Sequence, residues 1–224
     1  GLGDVYKRQE KGELLPENAI HSFDKVAAYF DKKAFAKLKS DASLEKKAME
    51  WVASLNLDDE KKSGFAVTTI YNHLRQVRDW HNDHPYTTIP AGINPTTGKP
   101  LTQLEREIIA DSAMPKEVHE RLMKGLCRVL TEEQVEQILD KYTVGKVAFT
   151  MKGYQEIVPD MTEEETAFIL EQLKLAREQA VDYKSMKQIS AIFKAYKTKI
   201  ELYFYEHGLS LIHISEPTRR VVIS

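Results

Sequence analysis

The sequence predicts an all-α fold, a bundle of about seven or eight helices interrupted by one long Pro/Gly-rich loop. Three observations carry that expectation. Apolar side chains recur at spacings of three and four, helix-start signatures recur along the chain, and the alternation of a half-buried strand is hard to find. Val67, Ile70, Leu74, Val77 and His81 form one series, and Met186, Ile189, Phe193, Tyr196, Ile200 and Tyr203 form another. Each lays one apolar stripe along a helix, to be buried against partner helices.

Taken in order, the segment from about Glu13 to Ser40 reads as an amphipathic helix through Phe23, Val26, Phe30 and Phe35. Leu57-Asp58-Asp59-Glu60 opens another, with Asp58 as the expected cap and acids at the positive end of the helix dipole. From His84 to Pro100 four prolines and two glycines crowd together, so this is an exposed loop, and Asn94-Pro95-Thr96-Thr97-Gly98 is its turn former. Loops of this length are usually functional or mobile. Cys127 lies in Lys124-Gly125-Leu126-Cys127-Arg128-Val129 and is expected to be a small helix-packing residue. Trp51 precedes Val52 and Leu55 and is expected in the core. Thr131-Glu132-Glu133-Gln134 and Thr162-Glu163-Glu164-Glu165 both fit the capping box, in which the Thr hydroxyl and the Glu or Gln side chain each satisfy a free backbone N–H. Leu130 can staple onto Val135 across the first of them. A break at Thr143 to Val147 leads to a short helix before Pro159.

The two ends stand apart from this pattern. Residues 1–9 can be back-translated to a DNA string whose reverse complement reads as residues 209–217, which resembles a transposase-type sequencing adapter read in frame. Residues 1–9 and 209–224 are therefore expected to be adapter-derived and non-native, and 10–208 to be a single helical domain, a piece of a longer chain. Setting the ends aside takes two acids (Asp4, Glu216) and four bases (Lys7, Arg8, Arg219, Arg220) from the 34 acidic and 32 basic residues, leaving 32 and 28. A mildly acidic chain with interspersed signs lacks the clustered Lys and Arg that nucleic-acid binding rests on, so no nucleic-acid partner is expected. No apolar run approaches the roughly 20 residues that span a bilayer. With one cysteine there is no intramolecular disulfide, no thiolate metal cluster and no redox pair. No cofactor motif is present: GxSxG, Walker, HExxH and dinucleotide fingerprints are all missing.

Polar residues concentrate in two places. Asp79-Trp80-His81-Asn82-Asp83-His84 is the densest cluster. Two histidines three apart could share a helix face as metal ligands, but a helix C-terminus is the preferred explanation, because His there meets the dipole favourably and no second cluster of ligands accompanies them. No metal site is assigned. Trp80 beside Arg78 also suits a sugar, whose apolar face stacks on a flat ring while charged groups bond its hydroxyls; the alternative is a half-buried Trp anchoring the loop. The second place is the last two helices, with Arg177, Glu178 and Asp182 on one and Lys194, Lys197 and Lys199 on the next. They form either a solvated face of pairs worth about 0.2–0.5 kcal/mol each or a polar groove closed by Lys152 and Tyr154.

From Leu130 to Tyr203 the residues resemble a bacterial family catalogued as domain of unknown function number 3826. The resemblance runs through Leu130-Thr131, Glu133 to Glu136, Thr143, Gly145, Lys152, Tyr154, Glu156 and Pro159. It continues through Thr162 to Glu164, Ile169-Leu170, Ala176 to Glu178, Ala180, Asp182, Phe193, Tyr196-Lys197, Ile200 and Tyr203. Trp51 to Leu57 fit more loosely, and Glu10 to Ser40 have no counterpart. Val144, Ser190 and Ile192 stand where the pattern has an aromatic, a His and a Trp. The resemblance implies a secreted or periplasmic all-helical protein associated with sugars, and it names no catalytic residue. It favours the groove reading of the last two helices.

The expectation is thus a non-catalytic carbohydrate-associated binding protein, its partner a glycan or oligosaccharide, with candidate ligand contacts at Arg78, Trp80, His81, Lys152, Tyr154, Arg177, Glu178, Asp182 and Lys197. Two alternatives stand beside it. A periplasmic helical chaperone or stress protein would share the Leu130-Thr131-Glu132-Glu133-Gln134 pentad, and an enzyme acting on polysaccharide fragments would use Arg177 or Asp182.

Overall fold

A computed structural model describes residues 17–207. Among them are eight α-helices: α1 (Glu17–Ala53), α2 (Glu60–Asp83), α3 (Gln103–Ser112), α4 (Lys116–Val129), α5 (Glu132–Tyr142), α6 (Lys146–Ile157), α7 (Glu163–Ala180) and α8 (Met186–Glu206). A single 3-10 turn, Tyr86–Thr88, and an isolated bridge between Ile93 and Pro100 punctuate the loop that joins α2 to α3. The all-α class is as the spacing predicts. The segments read as adapter lie outside the described residues. No helix among the described residues is long and apolar enough to cross a membrane.

Helix starts follow the local chemistry. Thr102, Thr131, Thr162 and Ser185 each complete a reciprocal capping box with a Glu or Gln three residues on. The cap of α2 is Asp59 rather than Asp58: its carboxylate accepts from the N–H groups of Lys61 and Lys62. Asp58 is one residue too early to reach them. The first helix runs on past Ser40 to Ala53, because nothing between the two breaks a helix. On it Phe35 is 69 % exposed, whereas the side chains of Phe23, Val26 and Phe30 lie outside the described residues. The α5–α6 link turns through two left-handed residues, Val144 (φ 54) and Gly145 (φ 66), and the Gly145 N–H reaches back to the Asp140 carbonyl at 2.9 Å.

The described residues separate into two compact units, the first ending at Lys46 and the second beginning at Lys47. Within the second, two apolar clusters form. One gathers Val147, Tyr154, Ile169, Leu173, Phe193, Ile200 and Phe204 from α6, α7 and α8. The other gathers Val52, Ile70, Leu122, Leu126, Leu130, Val135 and Ile138 from the end of α1 and from α2, α4 and α5, with Trp51 packed against it. Burying one such side chain is worth about 1.5–3 kcal/mol, against about 1 kcal/mol for a cap, so the stripes hold the helices together and the caps set where they begin. Cys127 departs from expectation. It is exposed, because the buried face of α4 is set by Val118, Leu122 and Leu126 and leaves Cys127 on the other side.

Candidate functional site

Six described polar residues of the second unit are buried: His73, Arg78, Asp111, Thr143, Arg177 and Gln188. His73, from the middle of α2, is only 2 % exposed, and both of its ring nitrogens are occupied. Nδ1 lies 3.1 Å from the Tyr142 hydroxyl and Nε2 2.9 Å from Asp182 Oδ1. A neutral ring satisfies both, with Nε2–H donating to the carboxylate and the Tyr142 O–H donating to Nδ1. The other oxygen of Asp182 lies 2.9 Å from His119 Nδ1, and Nε2 of His119 is 3.5 Å from Glu178. Asp182 therefore bridges two imidazoles. It can do so because it follows the last turn of α7, which carries Glu178, while His119 stands in the first turns of α4.

Charge follows this geometry. Hydrogen bonding to the Asp182 carboxylate raises the His119 pKa, opposed by burial and reinforced by the charges of Asp182 and Glu178. Burial works against ionising Asp182, but hydrogen bonds from His119 and His73 outweigh it and hold the carboxyl below its ordinary value. Desolvation, then the charge of Asp182, pushes the Tyr142 hydroxyl well up, so this phenol keeps its proton.

A buried acid borders the same place. Asp111, in the last turn of α3, is 5 % exposed. Its Oδ2 takes His81 Nδ1 at 2.7 Å and the amide N–H of Gln188. Asp111, His119, Glu178, Asp182 and Tyr183 all border one cavity of about 490 Å³. It is roomy enough for a small hydroxylated ligand.

The structure brings some of the expected site residues to this place and not others. Glu178 and Asp182 line the cavity, and His81 braces its wall through Asp111. Trp80 has its indole N–H on the Ala110 carbonyl at 3.1 Å and one ring face against His84, centroids 3.7 Å apart. Arg78 is buried and holds Asp79. Arg177 is 3 % exposed and ties α7 to α5, donating to Asp140 at 2.7 Å and pairing with Glu136 at 3.2 Å. Lys174 joins Glu136 at 2.7 Å; burial opposes ionisation of Glu136, yet Lys174 and Arg177 hold its pKa down. A separate cavity of about 520 Å³ is bordered by Cys127, Glu136, Arg177 and Glu178.

Lys152 is exposed beside Glu156, and Tyr154 is buried with its ring 6.3 Å from Phe204, and neither borders the cavity of about 490 Å³. Lys197 is half-buried on α8. Spacing along the chain missed His73, Asp111, His119, Tyr142 and Gln188. Their partners are far off in sequence; only the Ser185-to-Gln188 capping signature marked one of them locally. No group of three or more His, Cys, Asp or Glu residues suited to a metal ion occurs among the described residues.

One family model matches residues 41–219, and its description is protein of unknown function (DUF3826). The match begins close to the end of the segment without a counterpart in the pattern, and it takes in residues 209–219. No curated protein matches the chain.

Proposed function

The chain belongs to the family of unknown function DUF3826, and on that premise we propose that it is a non-catalytic carbohydrate-associated binding protein, secreted or periplasmic in its natural setting. One observation carries the reading: the cavity of about 490 Å³ at which His119, Glu178 and Asp182 converge on α4 and α7. Sugar recognition asks for several fixed donors and acceptors around an open cleft. His119 Nδ1 lies 2.9 Å from one oxygen of Asp182, and His73, itself bonded to Tyr142, holds the other oxygen from behind.

The test is a panel of plant and host glycans read by thermal shift and calorimetry on the full chain, with His119→Ala as control. Saturable binding by at least one glycan, lost or weakened about tenfold or more in the control, is expected; a tenfold loss corresponds to about 1.4 kcal/mol. A panel without any binder would overturn the reading. A second reading, an enzyme acting on polysaccharide fragments, has a specific observation in its favour. A histidine with one nitrogen beside a half-buried carboxylate and the other beside a cleft is the arrangement of a general base and its orienting group. Product release from any glycan bound in the same panel, abolished in His119→Ala, would decide for it.

A further inference from the structure

We infer that a further cleft, between α2 and α4, takes an acidic sugar through two arginines; the inference rests on the carbohydrate reading above for the sugar and on this cleft alone for the charge. The cleft has a volume of about 580 Å³, and Arg75 of α2 and Arg121 of α4 both border it. None of the described Asp or Glu residues stands on its border. The balance is the reverse of that at the cavity of about 490 Å³, which four carboxylates border.

Neither guanidinium is engaged by a carboxylate among the described residues. Arg121 gives one N–H to the side-chain oxygen of Gln76 at 2.8 Å, and the Gln76 amide in turn donates to the Asn72 carbonyl at 2.9 Å. A neutral amide therefore steadies Arg121 across the two helices without cancelling its charge, and most of its N–H donors stay open. Glu120, its neighbour in sequence, pairs with Lys124 instead. Arg75 lies over the ring of Tyr71, 5.5 Å from the centroid. Stacking uses the flat face of a guanidinium and leaves its N–H edge for an acceptor in the plane. A third guanidinium, Arg128, lies 5.2 Å over the ring of Phe65, which borders the same cleft.

Arg121 is exposed and Arg75 partly buried, so salt screens their charge, and charge alone would not select a ligand. Selection comes from direction and from the rest of the wall. A guanidinium fork meets two oxygens of a carboxylate or a sulfate ester in parallel bonds, each about twice as strong as a neutral one. Phe65, 38 % exposed, supplies an apolar edge, and Asn72 adds a side-chain amide. Thr68 and Thr69 donate their hydroxyls to the Gly64 and Phe65 carbonyls and keep their oxygens as acceptors. An apolar edge among donors and acceptors suits the ring and hydroxyls of a sugar, whereas a bare inorganic anion would use only the arginines.

The experiment is calorimetry of the full chain at neutral pH with a galacturonate trimer, a sulfated galactose trimer, the neutral galactose trimer and inorganic sulfate. At least one charged trimer is expected to bind about tenfold or more tighter than the neutral one, with that advantage shrinking as salt is raised. Which charged trimer binds tighter tells carboxylate from sulfate ester. Arg75→Gln and, separately, Arg121→Gln should each weaken that binding about tenfold or more while circular dichroism shows an intact fold. Arg121→Lys, which keeps the charge and loses the fork, should recover only part of it. Equal or tighter binding of the neutral trimer overturns the inference, as does inorganic sulfate bound as tightly as the charged trimers. Charged-trimer binding that survives both arginine substitutions and falls in His119→Ala places the ligand in the other cavity, which overturns the inference and leaves the carbohydrate reading standing. Silence from every probe overturns it as well, and the wider glycan panel then decides the carbohydrate reading separately.

Discussion

Desolvation alone would keep the Asp182 carboxyl protonated above its ordinary value of 3.8, but the hydrogen bonds from His119 and His73 reverse that balance and move it down. His119 moves the other way, up from 6.5, because Asp182 and then Glu178 favour its charged form. The signs of the two contributions follow by linkage. A raised histidine stabilises the fold fully below its unfolded pKa and loses that contribution as pH rises through the folded value. A depressed carboxylate stabilises above its unfolded pKa and loses its contribution as pH falls through the folded one. The pair is therefore worth most between about 3.8 and 6.5. In urea melts across a pH series, the stability gap between the wild-type chain and Asp182→Asn should be widest in that interval and narrow on both sides. A gap that does not change with pH would show that the bridge carries no net charge pairing. Asp182 and Glu178 are visible in sequence as acids of one helix, although the helix ends at Ala180 and Asp182 follows it. Their partners are not, since His73 lies 109 positions from Asp182 and 69 from Tyr142, and Gln188 lies 77 from Asp111. Local spacing holds no information at such separations.

Helices declare their beginnings more readily than their company. The boxes at Thr131 and Thr162 were legible because capping chemistry is complete within four residues. Thr102 and Ser185 carry the same signature, and α3 could have been found from Thr102-Gln103-Leu104-Glu105 alone. What no local signal gives is how closely two helices approach. On α4, a Cβ placed on Gly125 would lie 2.6 Å from Thr69 Cγ2 and 2.9 Å from its Oγ1 on α2. Thr69 cannot easily turn away, since its hydroxyl donates to the Phe65 carbonyl at 2.9 Å. Gly125→Ala gains about 0.8–1 kcal/mol of helix propensity and incurs about 1–3 kcal/mol of overpacking. The expected outcome is a net loss of up to about 2 kcal/mol in chemical denaturation. In a Thr69→Ala background the same change should cost less or become favourable. A stabilised Gly125→Ala, or an equal cost in both backgrounds, would mean that the α2–α4 approach is looser than described.

The two apolar clusters of the second unit raise the question whether they unfold together. Sequence periodicity predicted buried stripes and a helix count, but it could not tell that the stripes sort into two clusters, because sorting depends on which faces meet. One connection between the clusters is α7. Ile169, Leu173, Ala176 and Ala180 belong to the cluster shared with α6 and α8, while Val181, at the end of the same helix, belongs to the other. Between them Arg177 clamps Asp140 of α5, and Asp182 reaches His73 of α2. Loosening α7 in one cluster therefore withdraws a buried guanidinium and a bridging carboxylate from the other, which is the condition for a shared transition. Leu173→Ala tests this, because Leu173 is fully buried and its loss should cost about 2–5 kcal/mol. Trp51 reports on the opposite cluster, with its ring 4.8 Å from that of Tyr142. In a Trp80→Phe background, Trp51 fluorescence and far-ultraviolet helicity should shift to lower denaturant together and by the same amount. If helicity falls first while Trp51 keeps its wild-type midpoint, the clusters are independent and α7 does not couple them.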